Sequence, residues 1–479
     1  MKKAWLLTLF IVLFLSACGT PREENGDYAT QDEEDFTPYE DVYEDDEIYT
    51  ARQMVEVGGI MREIMPVGSL SIEHFLEDID YMIYVLKNNF PLLDVAYWAR
   101  GINYKELAAG VREAVLAMEE PCEDTFLAIL TWHFMPLFGT GHFMILDQQV
   151  FDNMDQNIHY GGYSGQKWMM NRNLLRFSPL ANRFYERGNQ ERIDAYEAAL
   201  DRLLEVYGMP SNRFWSDDRI RQPVNTSSIE ENRIAYISAG RSMEELRQNQ
   251  AQISNFFTQI TAYEHLIIDL RGNSGGNADH FLNILLAPLL REPIESPNAF
   301  LFFFDEYYVR RFGDHLFQPT IYNGFMTIFG PYRPVNEILA DYELPHIRHG
   351  DVERFHYGAP AGRFRNIEPT GDAPVFDGKI WLLTDPSLGS AAQRAVWYAK
   401  EAGHITLVGD ITGGCIGGPR TLAFMPNTGI IFYFDIFYIT DSRGRPLEAG
   451  TIPHHFNRSG MDALETVLAL IAEGDVVAS

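Results

Sequence analysis

Cysteine and basic side chains are scarce in this chain of 479 residues. Its three cysteines, Cys18, Cys122 and Cys415, include no C-x-x-C pair, which argues against a metal centre of that type and against a disulfide framework. The 38 lysines and arginines face 67 acidic residues, and the formal net charge of -29 disfavours nucleic acid as a partner. We therefore expect no metal, no cofactor and no nucleic acid, and a fold that depends on its hydrophobic core.

An apolar run stands at the N-terminus, in residues 4–15 behind Lys2 and Lys3. It is short for a membrane span, and the four residues that end at Cys18, LSAC, resemble a bacterial lipobox. We expect residues 1–18 to be a lipoprotein signal peptide and Cys18 to be lipidated. Such a protein would lie in the bacterial cell envelope, with its lipid anchor in the bilayer on the extracytoplasmic face of a membrane.

The next segment, residues 19–68, is strongly acidic. Residues 21–50 carry thirteen acidic side chains and one basic side chain, Arg22. Such a segment repels itself and has too little apolar surface to bury, so we expect a disordered tether between the membrane and the folded part.

Helical spacing of apolar residues begins near Ser71. It predicts a helix from Ser71 to just before Pro91, a second over 104–118 and a third over 126–134. We expect these helices to form an N-terminal helical domain, residues 69–147, that changes to a strand after His142. A further helix is predicted over 191–207, within a helical insert that spans residues 148–230.

Residues 231–475 show the alternation of buried strands and helices that is typical of an α/β core. Strands are predicted at 234–238 and 266–270, with a helix between them that starts at a capping box of Ser242 and Glu245 and runs through Ile260. A glycine-containing turn, residues 271–276, leads into a helix over 278–290. The strand at 299–304 is predicted to repeat the strand and helix unit.

A serine stands where another predicted strand, residues 380–383, turns into a helix. Ser390 lies at the head of that helix, where unpaired N–H groups and the helix dipole favour an oxyanion beside its hydroxyl. The position is suitable for a nucleophile. The residues alone leave a second interpretation open, in which Ser390 only caps the helix.

Four segments together carry a family resemblance: SAAQ at 390–393, LIIDLRGNSGG at 266–276, GTGH at 139–142 and LEAGTIP at 447–453. They resemble the corresponding segments of the S41 serine peptidases, the family of C-terminal processing (tail-specific) and tricorn-type proteases. The resemblance implies a crotonase-like (ClpP/crotonase-type) β-β-α core with an N-terminal helical domain. It also implies hydrolysis of peptide bonds in a peptide or protein substrate.

The resemblance further implies roles for single residues. The N–H group of Gly275 or Gly276 would form the oxyanion hole together with that of Ala391, because glycine lets the backbone approach a ligand closely. Independently of the resemblance, Asp269 and Arg271 are predicted to brace the turn and not to take part in the chemistry.

The S41 family activates its serine either with a lysine or with a histidine and a glutamate. Cys415 stands where the match places the lysine, so the resemblance favours the histidine branch. His142 would then be the base for Ser390, and Glu448 would orient the imidazole. Cys415 itself is open to a second interpretation, as a redox gate or as a disulfide partner of Cys122.

Many members of the family carry a PDZ domain after the histidine segment. Residues 148–230 show no glycine-containing carboxylate loop followed by short strands, which puts tail-specific recognition in doubt. We expect a membrane-anchored extracytoplasmic serine peptidase. The alternatives are an inactive S41-like lipoprotein that binds a peptide or another ligand, and an acyl-CoA enzyme of the crotonase type, which export disfavours.

Overall fold

The computed structural model describes residues 70–152, 183–185, 188–207, 223–290, 292–294, 298–304, 327–328, 331–362, 366–370, 376–416 and 420–474. The expected signal peptide and tether, and parts of the 148–230 insert, lie outside these residues. Within them, no helix is both long enough and apolar enough to cross a membrane. The proposed domain boundaries remain predictions.

Helices dominate the N-terminal part of the described chain and flank the strands of the rest. They are α1 (Ile72–Asn89), α2 (Leu93–Arg100), α3 (Tyr104–Leu116), α4 (Glu123–Phe134), α5 (Gln190–Tyr207), α6 (Met243–Gln248), α7 (Gln250–Gln259), α8 (Ala278–Phe281), α9 (Val335–Asp341), α10 (His349–Val352), α11 (Ala391–Glu401) and α12 (Ala463–Ala472).

The strands begin only after the first four helices. They are β1 (Met144–Ile145), β2 (Asn225–Glu230), β3 (Ile234–Ser238), β4 (His265–Asp269), β5 (Ala299–Phe303), β6 (Thr327–Ile328), β7 (Arg333–Pro334), β8 (Tyr357–Gly362), β9 (Lys379–Thr384), β10 (Ile405–Gly409), β11 (Arg420–Phe424), β12 (Ile431–Asp435), β13 (Tyr438–Thr440) and β14 (His455–Phe456).

A six-stranded sheet in the order β14-β10-β9-β4-β3-β2 lies at the centre of the described C-terminal part. Every pair from β14 to β3 is parallel, and β2 is antiparallel to β3. Parallel strands need crossover connections, which here contain α6 and α7 between β3 and β4, α8 between β4 and β9, and α11 between β9 and β10. The expected α/β, crotonase-like core is confirmed.

The central strands are buried on both faces, which explains their near-continuous apolar sequences. On one face, Trp381 and Ile267 pack with Val467 of α12. On the other face, Leu382 and Ile268 join the large core that continues into the helical part. The sheet is therefore enclosed between two layers, and its strand ends are held in fixed positions.

Three sequence expectations differ from the structure. The predicted helix over 242–260 is divided at Asn249 into α6 and α7, and Ser242 makes no side-chain cap bond. The predicted helix over 278–290 keeps α-helical bonding only to Phe281 and continues as π and 3-10 turns through Leu289. Strand β5 does not repeat the strand and helix unit, because it belongs to a separate antiparallel sheet in the order β13-β5-β8-β6.

A small antiparallel sheet, β1-β12-β11, connects the helical part to the core. Strand β1 follows the histidine segment directly, and its Met144 lies opposite Tyr433 of β12. The turn between β11 and β12 is held by helix α1. There, buried Asp78 accepts hydrogen bonds from the N–H groups of Asn427 (2.8 Å) and Thr428 (2.9 Å) and from the Thr428 hydroxyl (2.6 Å).

We predict that Asp78→Asn destabilises the fold. At pH 5 a protonated Asp78 carboxyl can donate its one O–H to the Thr428 hydroxyl and still accept from both N–H groups. An amide NH₂ has two N–H groups, one of which would face backbone donors and stay unpaired, and this should lower the free energy of unfolding by about 3 kcal/mol. Burial raises the pKa of the Asp78 carboxyl to about 7. Between the unfolded and the folded pKa, the native state holds a proton that the unfolded chain has released. Proton binding therefore stabilises the native state at low pH, and this stabilisation is lost as pH rises toward 7.

The difference in free energy of unfolding between wild type and Asp78→Asn should thus decrease by roughly 1 kcal/mol per pH unit between pH 5 and pH 7. Urea titrations at several pH values measure it, with the exposed Glu113→Gln on helix α3 as the control. A difference that widens with pH would contradict the raised pKa.

Candidate active site

Two loops meet at the carboxyl ends of the neighbouring parallel strands β4 and β9. The loop after β4 contains the glycine turn 271–276, and the loop after β9 leads to Ser390. The Gly272 N–H group donates to the Asp385 carboxylate (3.1 Å) and to the Ser387 hydroxyl (3.1 Å), which ties the loops together. Ligands bind at this end of the strands in open α/β sheets, because the loops there converge.

Ser390 occupies a strained turn at the start of α11. Its backbone has φ 55° and ψ -121°, a region that non-glycine residues seldom adopt. The Ser390 N–H group donates to the Gly414 carbonyl (3.0 Å), so the neighbouring loop fixes this conformation. Its side chain makes no capping bond to the helix, which removes the interpretation of Ser390 as a simple helix cap.

His142 reaches Ser390 from the helical part of the chain. Its Nε2 atom lies 3.0 Å from the Ser390 Oγ atom. His142 belongs to a 3-10 turn, Thr140–His142, directly before β1, and also has a positive φ of 50°. The structure therefore brings these two predicted residues into hydrogen-bond contact.

Asp435 is the carboxylate that contacts the imidazole. Its Oδ2 atom lies 2.6 Å from the Nδ1 atom of His142, and its side chain is fully buried. The pairing of Met144 of β1 with Tyr433 of β12 brings the histidine turn beside Asp435, the last residue of β12. Asp435 was not among the predicted site residues, although it is a single carboxylate within the apolar run 430–437.

Glu448, the residue expected to orient the imidazole, lies against the backbone of the histidine turn in the structure. Glu448 is buried, and its Oε1 atom accepts a hydrogen bond from the Gly141 N–H group (3.0 Å), beside His142. Its Oε2 atom accepts one from the Ile416 N–H group (3.3 Å). Glu448 therefore contacts the backbone of the histidine turn, whereas the side chain within hydrogen-bond distance of the His142 Nδ1 atom is Asp435.

Burial raises the pKa of the Glu448 carboxyl above its ordinary value. Arg100 opposes this rise, since its Nη2 atom lies 3.4 Å from the Glu448 Oε1 atom, and so does the Gly141 N–H group. The negative charge of nearby Asp435 acts in the same direction as burial. Two acidic side chains are therefore buried close to one imidazole.

The glycine turn lies directly against Ser390. A Cβ atom on Gly275, which has φ 100°, would come within 3.2 Å of the Ser390 Cβ atom and 3.1 Å of the Ala391 nitrogen. The Gly275 N–H group is already used, since it donates to the Asn273 Oδ1 atom (3.0 Å). Across the described residues, neither Gly276 nor Ala391 has a partner for its N–H group. Between the two glycines, Gly276 thus has the available donor.

Asn273 holds this turn in place. Its side chain is fully buried and donates from Nδ2 to the Gly240 carbonyl (3.1 Å), while its Oδ1 atom binds the Gly275 N–H group. Asp269 and Arg271 are paired by Nη2 and Oδ2 atoms 2.8 Å apart, and Arg271 also contacts Asp462 before α12. Both residues lie where a brace of the turn was expected.

The two cysteines in the described part of the chain, Cys122 and Cys415, form no disulfide bond. Cys415 follows Gly414, whose carbonyl holds Ser390, and has a positive φ of 54°. Three of the four described non-glycine residues with positive φ, His142, Ser390 and Cys415, thus stand together at this site. Strained backbone persists only where the surrounding structure enforces it, and such residues are concentrated at functional sites.

Comparisons with known proteins give a family match for part of the chain. Residues 233–456 match the model of peptidase family S41. A search of curated proteins gives no match. Among solved structures, the chain is similar to mature CPAF complexed with lactacystin, with 11% identity, coverage of 84% of this chain and 99% of that chain, and a TM-score of 0.45.

Two further structures give a similar result. One is a protein of Parabacteroides merdae with a provisional peptidase assignment (14% identity, 86% and 99% coverage, TM-score 0.43). The other is the photosystem II D1 C-terminal processing protease (11% identity, 81% and 94% coverage, TM-score 0.34). The match to peptidase family S41 lies in residues 233–456, which contain Ser390, Asp435 and the glycine turn, whereas His142 lies before it.

Proposed function

We propose that this chain is a serine peptidase that hydrolyses peptide bonds in peptides or proteins, with Ser390, His142 and Asp435 as its catalytic residues. The observation that carries the proposal is the pair of contacts made by one imidazole. Nε2 lies 3.0 Å from the Ser390 hydroxyl and Nδ1 lies 2.6 Å from the Asp435 carboxylate. A serine hydroxyl is a weak nucleophile and needs a positioned base, which this geometry supplies.

The carboxylate sets the tautomer of His142. An ionised carboxylate only accepts hydrogen bonds, so Nδ1 of His142 carries the proton and Nε2 is free to accept the Ser390 proton. Ser390 Oγ then attacks the peptide carbonyl carbon while its proton moves to Nε2, and the departing amine takes that proton. In the second step water attacks the acyl-serine and gives a proton to Nε2 of His142. The imidazole then returns that proton to Ser390 Oγ as the acyl group leaves.

The negative oxygen of the tetrahedral intermediate needs N–H donors that point at it before the reaction starts. The unpartnered N–H groups of Gly276 and Ala391 would supply them. Gly275 would act differently from the original expectation: its N–H group is committed to Asn273, and its missing side chain lets the turn approach Ser390. Glu448 would support the histidine turn through the Gly141 N–H group.

We also propose that the mature protein is anchored to a bacterial membrane through a lipidated Cys18. The support is the order of charged, apolar and small residues before Cys18 and the acidic segment after it. The tether would hold the peptidase on the extracytoplasmic side and away from the lipid surface.

A fluorophosphonate probe tests the nucleophile. Ser390→Ala should abolish probe labelling and cleavage of casein, and it should change stability by at most about 1 kcal/mol, because the hydroxyl makes no capping bond. Ser254→Ala, at an exposed position on α7, is the matched control and should keep both activities. Equal labelling of Ser390→Ala and wild type would contradict the assignment.

The two acidic residues should differ in their effect on turnover. Asp435→Asn should lower kcat by on the order of 10³- to 10⁴-fold, because an amide on Nδ1 no longer selects the reactive tautomer. Glu448→Gln should cost roughly tenfold, since Gln can still accept from the Gly141 N–H group. Steady-state kinetics on a fluorogenic peptide measures both. A larger loss for Glu448→Gln would restore the original assignment of Glu448.

Cys18→Ser should stop lipidation and leave either uncleaved precursor or released protein, because the acidic tether cannot hold to an anionic membrane. Phase partition into detergent and gel mobility measure this. Cys122→Ser removes the exposed cysteine of the folded part and should behave as wild type. Continued partition of Cys18→Ser into detergent would count against the lipobox.

A further inference from the structure

Arg100 lies where three loops of the proposed site meet. It is the last residue of helix α2, and the helix ends at Gly101, which has a left-handed conformation. Its side chain extends from the helical part of the chain into the S41 core, and about a quarter of it remains exposed. Residue 100 lies well before the S41 match, which begins at residue 233.

The guanidinium of Arg100 is occupied on both terminal nitrogens. Nη1 donates to the Thr140 hydroxyl (2.7 Å), in the turn that carries His142. Nη2 donates to the carbonyl oxygens of Gly413 and Glu448, the latter at 2.9 Å, and lies 3.4 Å from the Glu448 carboxylate. With its donors used in this way, Arg100 is poorly suited to bind the carboxylate of a substrate.

Each of the three loops controls part of the catalytic geometry. The loop of Thr140 carries His142, and the loop of Gly413 continues to Gly414, whose carbonyl binds the Ser390 N–H group. The loop of Glu448 returns to the first through the Gly141 N–H group. One guanidinium therefore connects the base side and the nucleophile side of the site.

The packing around Gly414 leaves little freedom for Arg100. A Cβ atom at Gly414, which has φ 75°, would approach the Arg100 Nη2 atom to 2.8 Å and would clash with the Glu448 carbonyl. The planar guanidinium fits here because its donors point in fixed directions in one plane, whereas a lysine ammonium has a single nitrogen. The contact thus depends on both the shape and the charge of Arg100.

We propose that Arg100 is a positioning residue for the Ser390 and His142 pair, supplied by the helical part of the chain. It holds the histidine turn and the loop behind Ser390 at the separation that gives the 3.0 Å contact between Nε2 and Oγ. It does not touch the reacting atoms. This inference rests on the proposed peptidase function.

The consequence is a specific kinetic defect. A displacement of about 1 Å between reacting groups can cost on the order of 100-fold in rate without a change in substrate contacts. We expect Arg100→Gln to lower kcat by about 10- to 100-fold and to leave KM within about twofold. Arg100→Lys should recover part of the loss, because the cation remains beside Glu448.

The experiment distinguishes a change in the geometry of Ser390 and His142 from a decrease in the fraction of folded protein. A fluorophosphonate reacts with every correctly folded site, so the final extent of labelling counts folded protein and the rate constant reports the Ser390 and His142 geometry. Arg100→Gln should reach the wild-type extent of labelling with a rate constant lower by about 10- to 100-fold. A residue with only a structural role would lower the extent and leave the rate constant of the folded fraction unchanged.

Arg354→Gln is the matched control. It removes the ion pair with Asp94, which also joins helix α2 to the C-terminal part of the chain, and it leaves the Arg100 contacts intact. Its labelling rate constant and kcat should equal those of wild type. If Arg354→Gln lowers the rate constant as much as Arg100→Gln does, then loss of any contact between α2 and the C-terminal part produces the defect. That result would overturn the inference.

Thr140→Val carries the test if Arg100→Gln does not fold. It removes only the hydroxyl that accepts from Nη1 and keeps a side chain of similar shape. Wild-type rate constants in both Thr140→Val and Arg100→Lys would overturn the positioning role. Wild-type protein that the probe does not label would overturn the proposed function itself, whereas normal labelling of all variants would overturn only this inference.

Discussion

The antiparallel pairing of β1 with β12 is the interaction on which the proposed catalytic geometry depends. It brings the histidine turn beside the end of β12, where the imidazole of His142 contacts Asp435, a residue 293 positions away, and Ser390. Such a short strand could not hold this register alone. Its stability comes from the buried contacts around it, including the bonds of Asp78 on helix α1 to the β11–β12 turn.

Burial of acidic side chains is the main electrostatic cost of this arrangement. Asp435 and Glu448 are both almost fully removed from water, and a buried carboxylate is unfavourable unless charges or hydrogen bonds compensate it. His142 contacts the first, while Arg100 and backbone N–H groups compensate the second. The same bonds that offset desolvation also fix the loops, so stability and geometry have a common origin here.

The sheet-containing core, residues 233–456, and the helical part make different contributions. The parallel sheet supports the strained turn at Ser390 and the glycine turn, whose positions follow from buried strands on either side. The helical part contributes His142 and Arg100, which reach the core across the small sheet and the end of α2. A complete site therefore requires both parts of the chain.

The sequence by itself determined the local features of this protein. Apolar periodicity located α1, α3 to α5 and the central strands, and short motifs located Ser390, His142 and the glycine turn, because each depends on neighbouring residues in the chain. Only the tertiary structure decided that Asp435 contacts the imidazole and that Glu448 contacts the Gly141 N–H group instead. Those contacts join residues about 300 positions apart, and strand register and side-chain packing, which no local pattern encodes, place them together.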